Sequence, residues 1–332
     1  FGSSQFGSGQ QAQASLRWPT MCSPQASSRQ LSCDDSEEYE IDLTAVEIEK
    51  KIGTGCTAEV YRGKFRDKEG ILQDVAVKVI NWNKSNMGAQ EQRAFDREVA
   101  IMPRISHENL VKFLGVSSKQ KPFRIITEFC AGGCCFELLH NCDHIELVWQ
   151  QQHKMATDIA SAMDYLHKFT PQIIHRDLKS LNLLLVKPVT DSQCIPHIKV
   201  SDFGHSRMKE HAAEADWGKL TIAAGTLHWM APEVFSGCNY DEKVDVYSYG
   251  MILFEIICRE IPFEEEEPAA VGRLAVNGVR PDLEAVPPDC PPLLLDIMIT
   301  CWRQDPSKRP PFDTIVIALE EVGMALEKVG SA

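Results

Sequence analysis

The sequence predicts an α+β chain in two lobes, a small sheet-rich lobe with one main helix followed by a larger, mainly helical lobe. Three observations carry that reading. Apolar positions recur with period two between residues 46 and 80, the spacing of half-buried strands. Beyond Gly132-Gly133 the spacing lengthens to three and four residues, as on helix faces. The 332 residues are 44% hydrophobic and 24% charged, which suffices for a buried core in a chain of this length.

Composition also excludes several classes. The chain carries 34 Lys and Arg against 47 Asp and Glu, a net charge of −13, so it repels a phosphate backbone and no nucleic-acid partner is expected. No apolar run reaches the ~18 residues of a membrane span, and the densest stretch, Met251 to Ile257, is broken by Glu255. The first residue is Phe1 rather than methionine, so a truncated reading frame is expected, with Met21 as a candidate start, and the first residues show neither the charged start nor the apolar core of a secretory leader. The 12 cysteines are scattered through strand-like and helix-like segments, which predicts reduced thiols, a cytoplasmic location and no disulfides.

Residues 1–42, rich in Ser, Gln and Gly, hold too few large apolar groups to offset the entropy of ordering and read as a disordered tail. The folded domain is expected over 43–328, with the first lobe at 43–128, a hinge at 128–133 and the second lobe at 134–328; residues 329–332 trail. Val46, Ile48, Ile52, Val60 and the run Val75 to Ile80 mark strands of a small antiparallel sheet. Phe95, Val99 and Met102 mark a helix, and Leu110 to Val116 and Arg124 to Phe129 further strands. In the second lobe, Met155, Ile159, Ala162 and Leu166 stripe one helix and Ile315, Leu319, Val322 and Leu326 another. Asp245 to Ile257 is apolar nearly all round and is expected to be a buried central helix. Short strands at Leu183 to Val186 and Ile198 to Ser201 are joined by a surface loop over 186–197, which contains Pro188 and Pro196.

Ile52-Gly53-Thr54-Gly55 lies between two of these strands. Paired glycines there let backbone amides approach phosphate oxygens with no Cβ in the way, although a plain turn would use them equally well. Lys78 ends an apolar strand soon afterwards and could simply reach solvent. Glu98 argues otherwise. It lies on the apolar stripe of its helix, three residues after Phe95, and a carboxylate at such a site needs a buried partner, for which Lys78 is the candidate.

In the second lobe, His175-Arg176-Asp177-Leu178-Lys179-Ser180-Leu181-Asn182 precedes Asp202-Phe203-Gly204 and then Ala231-Pro232-Glu233. In this order, after a glycine loop and a strand lysine, the motifs resemble the protein kinases across about residues 46–326. The stretches Gly225 to Glu233, Asp245 to Gly250 and Cys301 to Pro310 look like the tyrosine-kinase-like group, which mostly phosphorylates serine and threonine. Lys179 likewise matches the serine/threonine pattern.

The resemblance implies a two-lobed kinase fold, ATP and Mg²⁺ as cofactors and a protein substrate. Lys78 and Glu98 would hold the α- and β-phosphates, Asn182 and Asp202 the Mg²⁺ ions, Asp177 the acceptor hydroxyl and Lys179 the γ-phosphate. Adenine would sit between Val60 and Ala76 above and Leu184 below, contacting the backbone of Glu128 and Cys130, with Thr127 as gatekeeper. Glu233 and Arg309 would form a buried structural ion pair, and Asp245 would brace the loop that carries Asp177. Thr221 is the expected regulatory phosphosite, with Arg176 as the cation that would meet its phosphate and an upstream kinase as a partner. Thr226 is expected to be structural.

The chain departs from the family pattern in places. Ala58 stands where a third glycine is usual, which stiffens the loop. Cys134, Cys135, His140, Cys142 and His144 offer zinc-like ligands at a spacing that fits no standard finger, so no structural metal is expected. Cys56 is expected to be an inert loop residue and Glu264 to Glu267 a solvated acidic loop. The two rival readings are a pseudokinase scaffold, opposed by the presence of Lys78, Glu98, Asp177, Asn182 and Asp202, and a dual-specificity or tyrosine-directed kinase, opposed by Lys179.

Overall fold

The computed structural model describes residues 39–55, 58–80, 88–119, 121–209 and 227–330. Five strands build the first lobe: β1 (Val46–Thr54), β2 (Ala58–Arg66), β3 (Leu72–Ile80), β4 (Phe113–Ser117) and β5 (Arg124–Glu128). They form one antiparallel sheet in the order β1-β2-β3-β5-β4. Helix α1 (Gly88–Ile101) lies between β3 and β4 in the chain. Alternation along β3 buries Val75, Val77 and Val79 on one face and leaves Ala76 and Lys78 half-buried on the other, so the strand itself decides which way Lys78 points.

The second lobe contains α2 (Cys135–His140), α3 (Trp149–Lys168), β6 (Ile173–Ile174), β7 (Leu183–Leu185), β8 (Ile198–Val200), β9 (Arg207–Met208), α4 (Pro232–Phe235), α5 (Lys243–Cys258), α6 (Pro268–Val276), α7 (Pro292–Cys301) and α8 (Phe312–Gly330). Helix α5 is buried from Val244 to Ile257 and packs against α3 and α7. The stripe Met155, Ile159, Ala162 and Leu166 of α3 is fully buried, and α8 closes the core through Ile315, Leu319 and Val322. Two short antiparallel pairs, β6 with β9 and β7 with β8, lie over this helical base.

The structure corrects several boundaries. The first helix ends at Ile101, and Met102 opens a 3-10 turn that contains Pro103, a residue with no N–H for a helical bond. The strand expected from Leu110 begins only at Phe113. Leu110 instead bridges to Val200, and Val111 N donates to Val200 O at 3.0 Å, so this segment ties the lobes together. Loop 186–197 is less superficial than expected. Val189 and Pro196 are buried, and Gln151 Nε2 donates to Asp191 O and Cys194 O, both at 2.8 Å. Tyr39–Asp42, assigned to the tail from composition, are packed against β4. Residues 1–38 lie outside the described residues, as do Cys56, Thr221 and Thr226.

Candidate active site

The site lies between the lobes, and β3 supplies its first charge. Lys78 Nζ stands 2.8 Å from Glu98 Oε2 and 3.1 Å from Oε1. It also reaches Asp202 Oδ1 at 2.9 Å. Burial alone would pull the ammonium down, but the Asp202 and Glu98 carboxylates outweigh it and hold Lys78 above its ordinary range. Burial also acts on Asp202, where Lys78 outweighs it and keeps the carboxyl well below the usual carboxylate range. At Glu98 burial prevails over Lys78 and pushes the carboxyl up. One cation therefore serves two carboxylates of unequal proton affinity.

The second lobe supplies a loop over residues 175–182. Asp245, fully buried on α5, accepts from His175 N and Arg176 N, each at 2.8 Å, and also pairs with His167 Nε2 at 2.9 Å. These bonds hold Arg176 at φ +67°, a left-handed conformation that costs a non-glycine residue about 1 kcal/mol or more. Downstream, Lys179 Nζ lies 2.9 and 3.0 Å from the two oxygens of Asp177. Asn182 Nδ2 donates to Asp177 O at 2.8 Å and Asp177 Oδ2 at 3.0 Å. Asp202 also has positive φ, +64°, and Gly204 N donates to its Oδ1 at 3.3 Å. A cleft beside Asp177 is walled by Arg176, Trp229, Met230, Val234 and Tyr240.

Of the residues named from the sequence for the adenine, Val60, Ala76 and Thr127 belong to the sheet of the first lobe and Leu184 to β7 of the second. Val60 is paired with Lys78 and Ala76 with Thr127 in the sheet register. Leu184 is bridged to Cys134 just past the connecting segment, and Ala131 N and Gly132 N donate to Val186 O and Leu185 O. Val60, Ala76, Thr127 and Leu184 are all half-buried, whereas Ile52, Thr54 and Gly55 are exposed on the glycine-rich strand and Gly53 is half-buried. Cys130 is buried, which pushes its thiol up to about 12. The Glu128 side chain is fixed by Lys112 N at 2.7 Å and by Lys199 Nζ at 2.8 Å.

Sequence reasoning missed part of this machinery. Glu255 is fully buried in α5 and accepts from Ser180 Oγ at 2.6 Å and Trp229 Nε1 at 2.5 Å, with His140 Nε2 at 2.9 Å. It thus joins α2, the 175–182 loop and the turn before α4. Its only sequence signal was a charge inside an otherwise apolar helix. His140, grouped by composition with possible zinc ligands, is committed to this carboxylate, and Cys135 is buried. Among the described residues no group of three or more His, Cys, Asp or Glu side chains could hold a metal ion. Glu233 and Arg309 form a bidentate pair at 2.5 and 2.9 Å.

A half-buried lysine shared by two carboxylates thus lies beside a loop carrying a second Lys–Asp pair. Residues 46–319 match the family model for protein tyrosine and serine/threonine kinases, and the chain belongs to that family. It is 35% identical over 295 residues to the serine/threonine-protein kinase STY17 of Arabidopsis thaliana, covering 88% of this chain and 47% of that one. It is 37% identical over 297 residues to the dual specificity protein kinase splA of Dictyostelium discoideum, covering 86% and 12%. The serine/threonine/tyrosine-protein kinase HT1 of Arabidopsis thaliana is 35% identical over 290 residues, covering 86% and 69%. The chain thus spans about half or less of the length of the first two of these relatives. No helix among the described residues is long and apolar enough to cross a membrane.

Proposed function

We propose that the chain is the catalytic domain of a serine/threonine protein kinase that transfers the γ-phosphoryl group of ATP to a protein hydroxyl. The observation that carries this reading is Lys78 held between Glu98 and Asp202, together with an Asp177 already paired with Lys179 and Asn182.

Hard oxygen donors are what Mg²⁺ prefers, and the Asp202 carboxylate and the Asn182 amide oxygen fit it. With Asn182 Nδ2 committed to Asp177, the amide oxygen is the atom left for a cation. Bound Mg²⁺ would neutralise charge on the phosphate oxygens. Lys78 would then pair with the α- and β-phosphates, with Glu98 holding it in place. Asp177 would orient the acceptor hydroxyl and take its proton, and Lys179 would offset charge on the transferring group. The glycine strand Ile52 to Gly55 would cover the phosphates, while Val60, Ala76, Thr127 and Leu184 would enclose the base against the backbone of Glu128 and Cys130. The acceptor peptide would lie along the cleft beside Asp177.

Activation-segment phosphorylation is proposed as the control. Arg176 is buried, and its Nε and Nη1 have no hydrogen-bond partner among the described residues. Burial, helped by the like charges of Arg207 and Arg97, pulls its guanidinium down to about 10. A phosphate on Thr221 would supply the missing anion. Partners would then be a protein substrate and an upstream kinase. The cysteines described are all free, which supports a cytoplasmic setting.

A radiolabelled ATP assay on a degenerate peptide array tests this reading beside the Asp202→Ala variant. Transfer to serine and threonine above that control is expected. No transfer above the control would leave a binding scaffold. Comparable transfer to tyrosine would make the enzyme dual-specificity, as the relative splA is named.

A further inference from the structure

Tyr39–Asp42 lie outside the residues matched by the family model, yet they are built into the first lobe. Ile41 N donates to Val116 O at 2.7 Å and Val116 N to Tyr39 O at 2.9 Å. The segment therefore runs parallel along the open side of β4, the edge strand of the sheet. The Tyr39 ring lies 5.7 Å from that of Phe113. Ile41 is buried in a second apolar cluster with Val46, Val75, Val77, Val79 and Ile126. Alternation places Ile126 on the opposite sheet face from Ile125, which shares the main core with Phe95.

Residue 115 shows how close this seat is. A Cβ on Gly115 would come within 2.3 Å of Ile41 Cδ1 and 2.7 Å of Tyr39 O. At the end of β4 the Glu40 carboxylate closes the contact. Its Oε1 accepts from Ser118 N at 3.0 Å and Lys119 N at 3.2 Å, and its Oε2 from Ser118 Oγ at 2.8 Å.

We propose that Tyr39–Asp42 is a releasable strap and that Ser118 is the modification site that releases it. Ser118 is half-buried beside the exposed Lys119, and its hydroxyl is one of three donors that hold Glu40. A serine/threonine kinase acting here would form a bond from Ser118 Oγ to the γ-phosphorus of ATP. The bond from that phosphorus to the leaving ADP would break, and the hydroxyl proton would pass to the kinase's base. A donor would be replaced by a group of about −1.5 to −2 charge with acceptors only. That group repels Glu40 and competes for the amides of Ser118 and Lys119. Once Glu40 is displaced, Ile41 loses its clasp and the cluster that includes Val77 and Val79, on either side of Lys78, opens at one end.

The test is amide hydrogen exchange on the full chain with phosphoserine installed at position 118. The amides of Ile41 and Val116 are expected to exchange about tenfold faster or more, while those of Val75 and Ile126 are unchanged. Ser118→Ala keeps both backbone donors and should stay within about threefold of the unmodified chain. Glu40→Arg in the phosphoserine chain should restore protection through a new ion pair. Unmodified exchange rates in the phosphoserine chain, or equal acceleration by Ser118→Ala, would overturn the proposal. The readout is independent of phosphoryl transfer, so its failure would leave the kinase reading untouched.

Discussion

Lys78 Nζ lies 2.9 Å from Asp202 Oδ1, joining a strand of the first lobe to a segment 124 residues further along the chain. The same ammonium is paired with Glu98, so α1, β3 and the segment that opens at Asp202 share one cation. Moving α1 away from Asp202 would stretch one of these charge-assisted bonds, so the two ion pairs link the first lobe to residues 202–204.

Lys78→Met and Asp202→Ala are each expected to lower phosphoryl transfer by about 10²-fold or more, since each removes charge that would stabilise the transferring group. The fold should survive, with melting temperature moved by no more than about 4 °C. Glu98, already pushed up by burial, can take a proton when Lys78 is lost. Near-unmodified turnover in either variant, in a steady-state assay, would refute the site assignment.

Asp177→Asn should act on turnover rather than nucleotide binding. The substitution retains the shape and removes the base, so kcat is expected to fall by about 10²–10⁴-fold. The KM for ATP should stay within about threefold, because Asp177 contacts Lys179 and Asn182 rather than Lys78. A defect found mainly in nucleotide titration would show that the carboxylate has another role.

Arg176 and Thr221 are expected to behave as one unit. Thr221→Ala should depress activity about fivefold or more, Arg176→Ala should do the same, and the double variant should lose no more than either. Two observations would count against the mechanism: multiplicative losses in that cycle, or active enzyme with Thr221 unmodified by mass spectrometry.

Tyr247 should limit stability in alkali. Its ring is flanked by Arg280 and Arg309, each 5.1 Å from the centroid, while its hydroxyl is buried with no hydrogen-bond partner among the described residues. Burial pushes the phenol up to about 12, against an ordinary value near 10. The folded state therefore keeps its proton where the unfolded chain loses it. The resulting stability is complete below pH ~10 and falls as the pH rises towards 12, by about 2–3 kcal/mol. Tyr247→Phe should melt at the same temperature or higher at pH 7 and lose less stability between pH 10 and 12. Unfolding curves that coincide at both pH values would refute this.

The sequence by itself determined the two lobes and most of their longer elements. Period-two and helical spacing mark β1, β3, α3 and α8 because burial on one face imposes those periods, and α5 is marked by being apolar nearly all round. Glu98 could be read as a partner for Lys78 because an uncompensated carboxylate on an apolar stripe is costly.

Only the tertiary structure decided which distant groups face each other. Nothing local in Glu255 names Ser180, Trp229 and His140 as its partners, since they come from three other segments. The two-residue strands β6 and β9 are too short to show a period, and loop 186–197 owes its anchoring to Gln151 on another element. Composition placed Tyr39–Asp42 in a tail because residues 1–42 together hold too few large apolar groups to offset the entropy of ordering. They are ordered because β4 offers an unpaired edge and Gly115 leaves room for Ile41, a condition set by packing between residues far apart in the chain rather than by the residues themselves.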